Sequence, residues 1–122
     1  MALGPFVTFI PTTDADAARR FYEEVLGLAF VLDDGFAVVL EHENITLRVV
    51  RVEGLTPQPF TVLGFRVDDV AAEARALAAR GVVLERFPGM DQDELGVWRP
   101  VPGGQGVAWF KDPDGNLLSI SS

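Results

Sequence analysis

The last part of the chain, residues 107–120, constrains the fold most, because it has the pattern of two strands joined by a tight turn. Trp109 and Phe110 are strong strand formers, and an apolar run resumes at Leu117. The segment between them, Asp-Pro-Asp-Gly-Asn at 112–116, has the residues that a turn requires. This pattern predicts a closing β-hairpin, although a plain surface hairpin would have the same pattern.

A strand followed by an acidic helix start occurs twice in the chain. Near the beginning, Thr13 is a suitable N-cap for a helix that ends at Gly27. The same order returns from Thr61, with a helix predicted over 70–80 and closed by Gly81. We therefore predict an α+β fold of two tandem βαβββ modules in a single domain, with module one over 5–53, a linker over 54–59 and module two over 60–122. The remaining predicted strands are 29–32, 36–41, 45–52, 82–87 and 95–99.

The helix pattern and the final hairpin together resemble the vicinal oxygen chelate superfamily, which includes glyoxalase I, extradiol dioxygenases and bleomycin resistance proteins. The first motif has Asp14, then Phe-Tyr at 21–22 and Leu-Gly-Leu at 26–28, and the second has Phe110 before the turn at 112–116. The resemblance covers nearly the whole chain. It implies a curled mixed sheet around a cleft with helices on the outside, and it implies a homodimer. Whether the cleft forms within one chain or between two stays open.

Composition narrows the possible partners. The formal net charge of −8 argues against nucleic acid, which requires a basic surface, while it permits a cationic ligand. The chain has no cysteine and no apolar run long enough for a membrane helix. We expect a cytoplasmic protein with a small-molecule ligand and with no nucleic-acid or membrane partner.

The resemblance also identifies positions where metal-dependent relatives carry four ligands, usually His or Glu, on the first and last strands of the two modules. None of the matching residues here is a usual ligand for a divalent cation. The single histidine, His42, lies in a predicted turn. We therefore predict no metal, no cofactor and no catalytic residue. The four matching residues are Val7, Leu47, Val62 and Ser119.

Strand alternation predicts which residues share a face with those four positions. It pairs Val39 with Leu47 and Trp109 with Ser119, and it places Trp98 one strand further on. Such a surface suits a planar or amphipathic organic molecule, and the alternative is a cleft filled by its own side chains. The predicted ligand-binding residues are Val7, Phe9, Val39, Leu47, Val62, Gly64, Arg66, Trp98, Trp109 and Ser119.

Three functional hypotheses follow from these observations. The first is a metal-free protein, similar to the bleomycin resistance branch, that binds a small cationic or aromatic molecule in an apolar cleft. The second is a lyase, isomerase or dioxygenase of the same superfamily with an unidentified site, for which Asp91 and Glu94 in a polar loop are candidates. The third is a non-catalytic dimeric interaction module.

Overall fold

The computed structural model describes residues 1–122 in two compact units, Met1–Thr56 and Pro57–Ser122. The protein is α+β, with mixed sheets and short helices. Unit 1 contains β1 (Val7–Thr12), α1 (Ala15–Arg20), a π-helical turn (Phe21–Val25), β2 (Ala29–Asp33), β3 (Ala37–His42) and β4 (Ile45–Arg51). Unit 2 contains β5 (Thr61–Arg66), α2 (Val70–Ala79), β6 (Val107–Lys111) and β7 (Leu117–Ser121).

The sheet of unit 1 has the strand order β1-β4-β3-β2, with β1 parallel to β4 and the other pairs antiparallel. One face of this sheet packs on α1, and apolar residues of β1, β3 and β4 are buried on this face. The helical segment contributes Ala18 and Tyr22 to the same core. The buried residues of the strands on this face are Ile10, Val38, Leu40, Leu47 and Val49.

The start of α1 differs from the prediction by one residue. Asp14, rather than Thr13, is the N-cap, and its Oδ1 accepts a hydrogen bond of 3.1 Å from the Ala17 N–H. The helix then widens, since the Leu26 N–H donates to the Phe21 carbonyl. Gly27, with a φ of +79°, ends the segment as the sequence predicts.

The sheet of unit 2 has the order β5-β7-β6, with β5 parallel to β7 and β6 antiparallel to it. One face packs on α2 through Phe110, Leu118 and Ile120. The predicted closing hairpin is present, with Lys111 opposite Leu117. Its turn is internally bonded, because the carboxylate of Asp112, only 5% exposed, accepts from the N–H groups of residues 114 and 116 and from the Asn116 side chain.

Two predicted strands of unit 2 are wrong. Residues 82–87 form no strand, and 95–99 forms only single bridges from Trp98 to Gln92 and Val107. The physical reason is Gln92, whose amide donates to the carbonyls of Glu85 and Gly96 and whose Oε1 accepts from the Phe87 N–H. These side-chain bonds satisfy backbone groups that a strand ladder would otherwise pair.

Candidate functional site

One face of the unit 2 sheet, opposite the face that packs on α2, carries most of the predicted ligand-binding residues of this unit. Two cross-strand rows define it. In the first row, Trp109 lies opposite Ser119 and Ser119 beside Gly64, as strand alternation predicts. The second row runs from Trp98 through Val107 and Ser121 to Arg66. We call this surface, with Phe87, the aromatic face.

Three rings pack together at one side of the aromatic face. The centroids of Trp98 and Trp109 are 6.2 Å apart with planes tilted by 36°. Phe87 meets Trp109 edge to face at 5.4 Å and 88°. The indole N–H of Trp109 donates to Thr61 Oγ1 at 3.1 Å, which fixes its ring across the sheet. All three rings are only partly buried, so a ligand can reach them.

The other side of the aromatic face has small residues. A Cβ built on Gly64 would lie 2.8 Å from Ser119 Oγ, closer than such atoms approach. An alanine here would therefore force the Ser119 side chain, which belongs to a residue only 9% exposed, to move. The surface between the tryptophans and Arg66 therefore rises little above the sheet, and we call it the floor of the aromatic face.

The two basic residues of the aromatic face differ in whether a carboxylate balances their charge. Lys111 Nζ lies 3.5 Å from the carboxylate of Glu85, so its charge is largely balanced. Arg66 is exposed and forms no ion pair within the chain. The face therefore presents one unbalanced positive charge.

Val62 does not lie in a regular strand pattern. Thr61 pairs with Leu117 and Leu63 with the next residue, Leu118, so Val62 is the extra residue of a β-bulge. The alternation that we assumed from Val62 to Gly64 is interrupted at this point.

In unit 1 the predicted face and strand pairing of Leu47 are wrong. Leu47 is 3% exposed and pairs with Thr8, whereas Val7 and Phe9 belong to the opposite face and are 51% and 61% exposed. Leu47 is opposite Leu40, and the predicted pairing with Val39 does not occur.

The error comes from the turn between β3 and β4. The sequence suggested a three-residue turn at 42–44, but His42 is the last residue of β3 and pairs with Ile45. Glu43 and Asn44 alone form the turn, both with positive φ. A turn shorter by one residue shifts the register by one and moves each residue of β4 to the other face.

Sequence reasoning did not place Thr46 and Arg48 on the sheet face of unit 1 that carries Val7 and Phe9. Arg48 lies between Phe9 and Val39 in one cross-strand row, and Thr46 between Val7 and Glu41 in the next. The sequence signal for them was Asn44, which tolerates a positive φ and favours the two-residue turn. A depression of about 360 Å³ adjoins the row that contains Thr46. It is lined by Pro5, Phe6, Val7, Glu41, Asn44 and Thr46.

Arg48 is held in place by Asp34. Its Nη2 lies 2.6 Å from Asp34 Oδ2. The hydrogen bond from Arg48, followed by those from the backbone N–H groups of Ala37 and Phe36, lowers the pKa of Asp34 from 3.8 to about 2. The guanidinium is therefore partly neutralised by a carboxylate that stays ionised at neutral pH.

Comparison with known proteins identifies the family. The model of the glyoxalase/bleomycin resistance protein/dioxygenase superfamily matches residues 3–120. The chain belongs to this superfamily. No curated protein matches the chain with significance.

Solved structures share the superfamily fold with this chain at low sequence identity. A lactoylglutathione lyase from Agrobacterium tumefaciens is 21% identical, with a TM-score of 0.71 over 95% of this chain and 90% of the other. An antibiotic-binding protein from a Streptomyces species is 24% identical, with a TM-score of 0.70 over 98% and 96%. An integron cassette protein from the mobile metagenome of the Halifax Harbour sewage outfall is 21% identical, with a TM-score of 0.70 over 98% and 97%. At these identities the likeness shows the fold alone.

The residues of this superfamily member do not fit a divalent cation at the expected positions. Val7, Leu47 and Val62 have no donor atom in their side chains, and Leu47 faces the core. Ser119 offers only a hydroxyl. The structure contains no group of three or more His, Cys, Asp or Glu side chains placed to hold a metal ion. Its helices are also too short or too polar to cross a membrane.

Proposed function

We propose that this superfamily member binds a small planar organic molecule on the aromatic face of unit 2. The observation that carries the proposal is the cluster of Phe87, Trp98 and Trp109, which lies on the sheet face away from α2 and stays partly exposed. Large aromatic side chains gain most by burial, and partly exposed rings beside polar groups are typical of ligand sites. A planar ligand would cover these rings by stacking.

The proposal includes binding without chemical conversion and without a metal. Val7, Val62 and Ser119, at positions where the resemblance implies metal ligands, are not usual ligands for a divalent cation, and Leu47 faces the core; this supports metal-free binding. The antibiotic-binding relative, whose fold this chain shares, is compatible with that role. A homodimer in the cytoplasm is part of the same proposal.

The loop carboxylates do not favour the enzymatic alternative. Asp93 Oδ1 accepts from the N–H groups of Leu95 and Val97, so this carboxylate shapes its own loop. Asp91 and Glu94 are exposed at the surface of the same loop. No feature of this loop gathers further groups for acid–base chemistry.

Intrinsic fluorescence tests the proposal directly, because the chain has two tryptophans and both belong to the aromatic face. We expect para-nitrophenethyl alcohol, whose nitroaromatic ring quenches indole emission, to quench this fluorescence saturably. The same probe should raise the melting temperature, since a ligand of the folded state stabilises it by about 2.7 kcal/mol at a hundred times its Kd.

Matched variants identify the surface that binds. Trp109→Leu and Trp98→Leu should weaken binding measured by calorimetry, while Phe36→Leu, at an exposed ring of unit 1, should leave it unchanged. Quenching that rises linearly without saturation, with no thermal shift, would contradict the proposal. A thermal shift with Ni²⁺ or Zn²⁺ that a chelator reverses would contradict its metal-free part.

A further inference from the structure

We infer that the molecule bound by the aromatic face carries a carboxylate beside its ring, with Arg66 holding the anion. This inference rests on the proposed function and adds the chemical class of the ligand to it. It follows from the way the sheet register distributes rings, small residues and charge across one surface.

The two cross-strand rows place aromatic and basic groups at opposite sides of the same surface. Trp98 is at one end of its row and Arg66 at the other, separated by Val107 and Ser121. At a strand spacing of about 4.8 Å, their backbones lie roughly 14 Å apart. That span suits an aromatic ring with a short acidic substituent, once both side chains extend over the floor.

The floor between the rings and Arg66 is low and polar. In the neighbouring row it consists of Ser119 and Gly64, and a side chain at Gly64 would meet the Ser119 hydroxyl. Ser121 continues the floor beside Arg66. Serine hydroxyls can donate to a carboxylate, and the absence of bulk leaves room for it.

Charge complementarity favours an anion over a cation at this place. Arg66 has no carboxylate partner in the chain, whereas Lys111, the other basic residue of the face, is paired with Glu85. A guanidinium matches a carboxylate with two parallel hydrogen bonds. The chain as a whole carries a net charge of −8, so its overall field favours cations, and a preference for an anion would have to arise locally.

Three probes with one ring and different charge test the inference: para-nitrophenylacetic acid, para-nitrophenethyl alcohol and para-nitrophenethylamine. At pH 7 they are an anion, a neutral molecule and a cation of nearly equal size. From tryptophan quenching we expect the acid to bind roughly tenfold more tightly than the alcohol, because it gains a charge-assisted hydrogen bond. The amine should bind more weakly than the acid.

Arg66→Gln should abolish the roughly tenfold preference for the acid over the alcohol, because the guanidinium that holds the anion is removed while an exposed side chain is replaced without loss of packing. Lys111→Gln is the matched control and should retain the preference. Arg66→Lys should keep part of it, because the charge remains without the planar fork. Raising the salt concentration should reduce the affinity of the wild-type protein for the acid and leave its affinity for the neutral alcohol unchanged.

The outcomes separate the two proposals. If the alcohol quenches saturably but the acid binds no more tightly, or if Arg66→Gln keeps the preference, the carboxylate inference is wrong and the ring site remains. If none of the three probes binds saturably, the proposed function fails, and this inference fails with it.

Discussion

At the scale of single residues, Gly64 and Ser119 show how one hydroxyl determines its neighbour. The contact of 2.8 Å between a built Cβ and Ser119 Oγ explains the glycine without a ligand. A glycine within a strand ordinarily costs stability, because the unfolded chain is more flexible there. The pair therefore keeps the floor of the aromatic face flat at a cost to the strand.

We predict that Gly64→Ala lowers the free energy of unfolding by about 1 kcal/mol, because Ser119 must leave its rotamer. In a Ser119→Ala background the same change should be neutral or stabilising by a few tenths of a kcal/mol, since the clash is gone and alanine restricts the unfolded chain. Urea denaturation of the four proteins measures this double-mutant cycle. Equal effects of Gly64→Ala in both backgrounds would refute the contact.

At the scale of elements, the β2–β3 hairpin is held to β4 by two ion pairs. Asp33 forms two hydrogen bonds with Arg51, at 2.8 and 2.6 Å, and Asp34 forms one with Arg48. The hydrogen bond from Arg51, and then that from the Gly35 N–H, lowers the pKa of Asp33 from 3.8 to about 2. The pKa of Asp34 falls equally far, with Arg48 as the largest cause.

We predict that Arg51→Gln moves the pKa of Asp33 back toward 3.8, observable by NMR of its carboxyl carbon, and leaves Asp34 near 2. A depressed pKa stabilises the folded state above the unfolded value of 3.8, and this contribution disappears as the pH falls toward 2. The melting temperature of the wild-type protein should therefore decline more steeply between these pH values than that of the variant. Equal slopes would show that this ion pair does not stabilise the folded protein at low pH. Many exposed ion pairs make no measurable contribution to stability.

The two segments beside Gln92 show where a sequence pattern fails to predict an element. Residues 82–87 and 95–99 have strand-forming composition, yet the amide of Gln92 takes three backbone hydrogen bonds between them. A single side chain that bonds to backbone groups four to seven residues away has no periodicity, so a pattern of alternating residues cannot reveal it. The closing hairpin was predictable because its turn residues are local and specific.

At the scale of the whole molecule, apolar side chains remain exposed on unit 1. Val7 and Phe9 of β1, and Phe6 just before this strand, are each more than half exposed. Contiguous exposed apolar residues often mark an interface. They support the proposed homodimer.

We predict that sedimentation of the wild-type protein at micromolar concentration gives twice the monomer mass. Phe9→Glu should weaken the dimer at least about tenfold, because burial of a phenylalanine contributes about 1.5 to 3 kcal/mol. Phe36→Glu, at an exposed ring in the turn of the β2–β3 hairpin, is the control and should not change the mass. A wild-type protein that sediments as a monomer at tens of micromolar would remove the homodimer from the proposal.

The sequence by itself determined the α+β class, the superfamily, the ends of the two helices at Gly27 and Gly81, and the pairing of Trp109 with Ser119. These depend on local turn and cap chemistry, which neighbouring residues specify. Only the tertiary structure decided that Leu47 faces the core packed on α1 and Arg48 the opposite face of the sheet, because one residue more or less in a turn reverses every face that follows. It also decided which charges are paired, since the carboxylates that balance Arg48, Arg51 and Lys111 come from distant positions in the chain and only the fold brings them into contact.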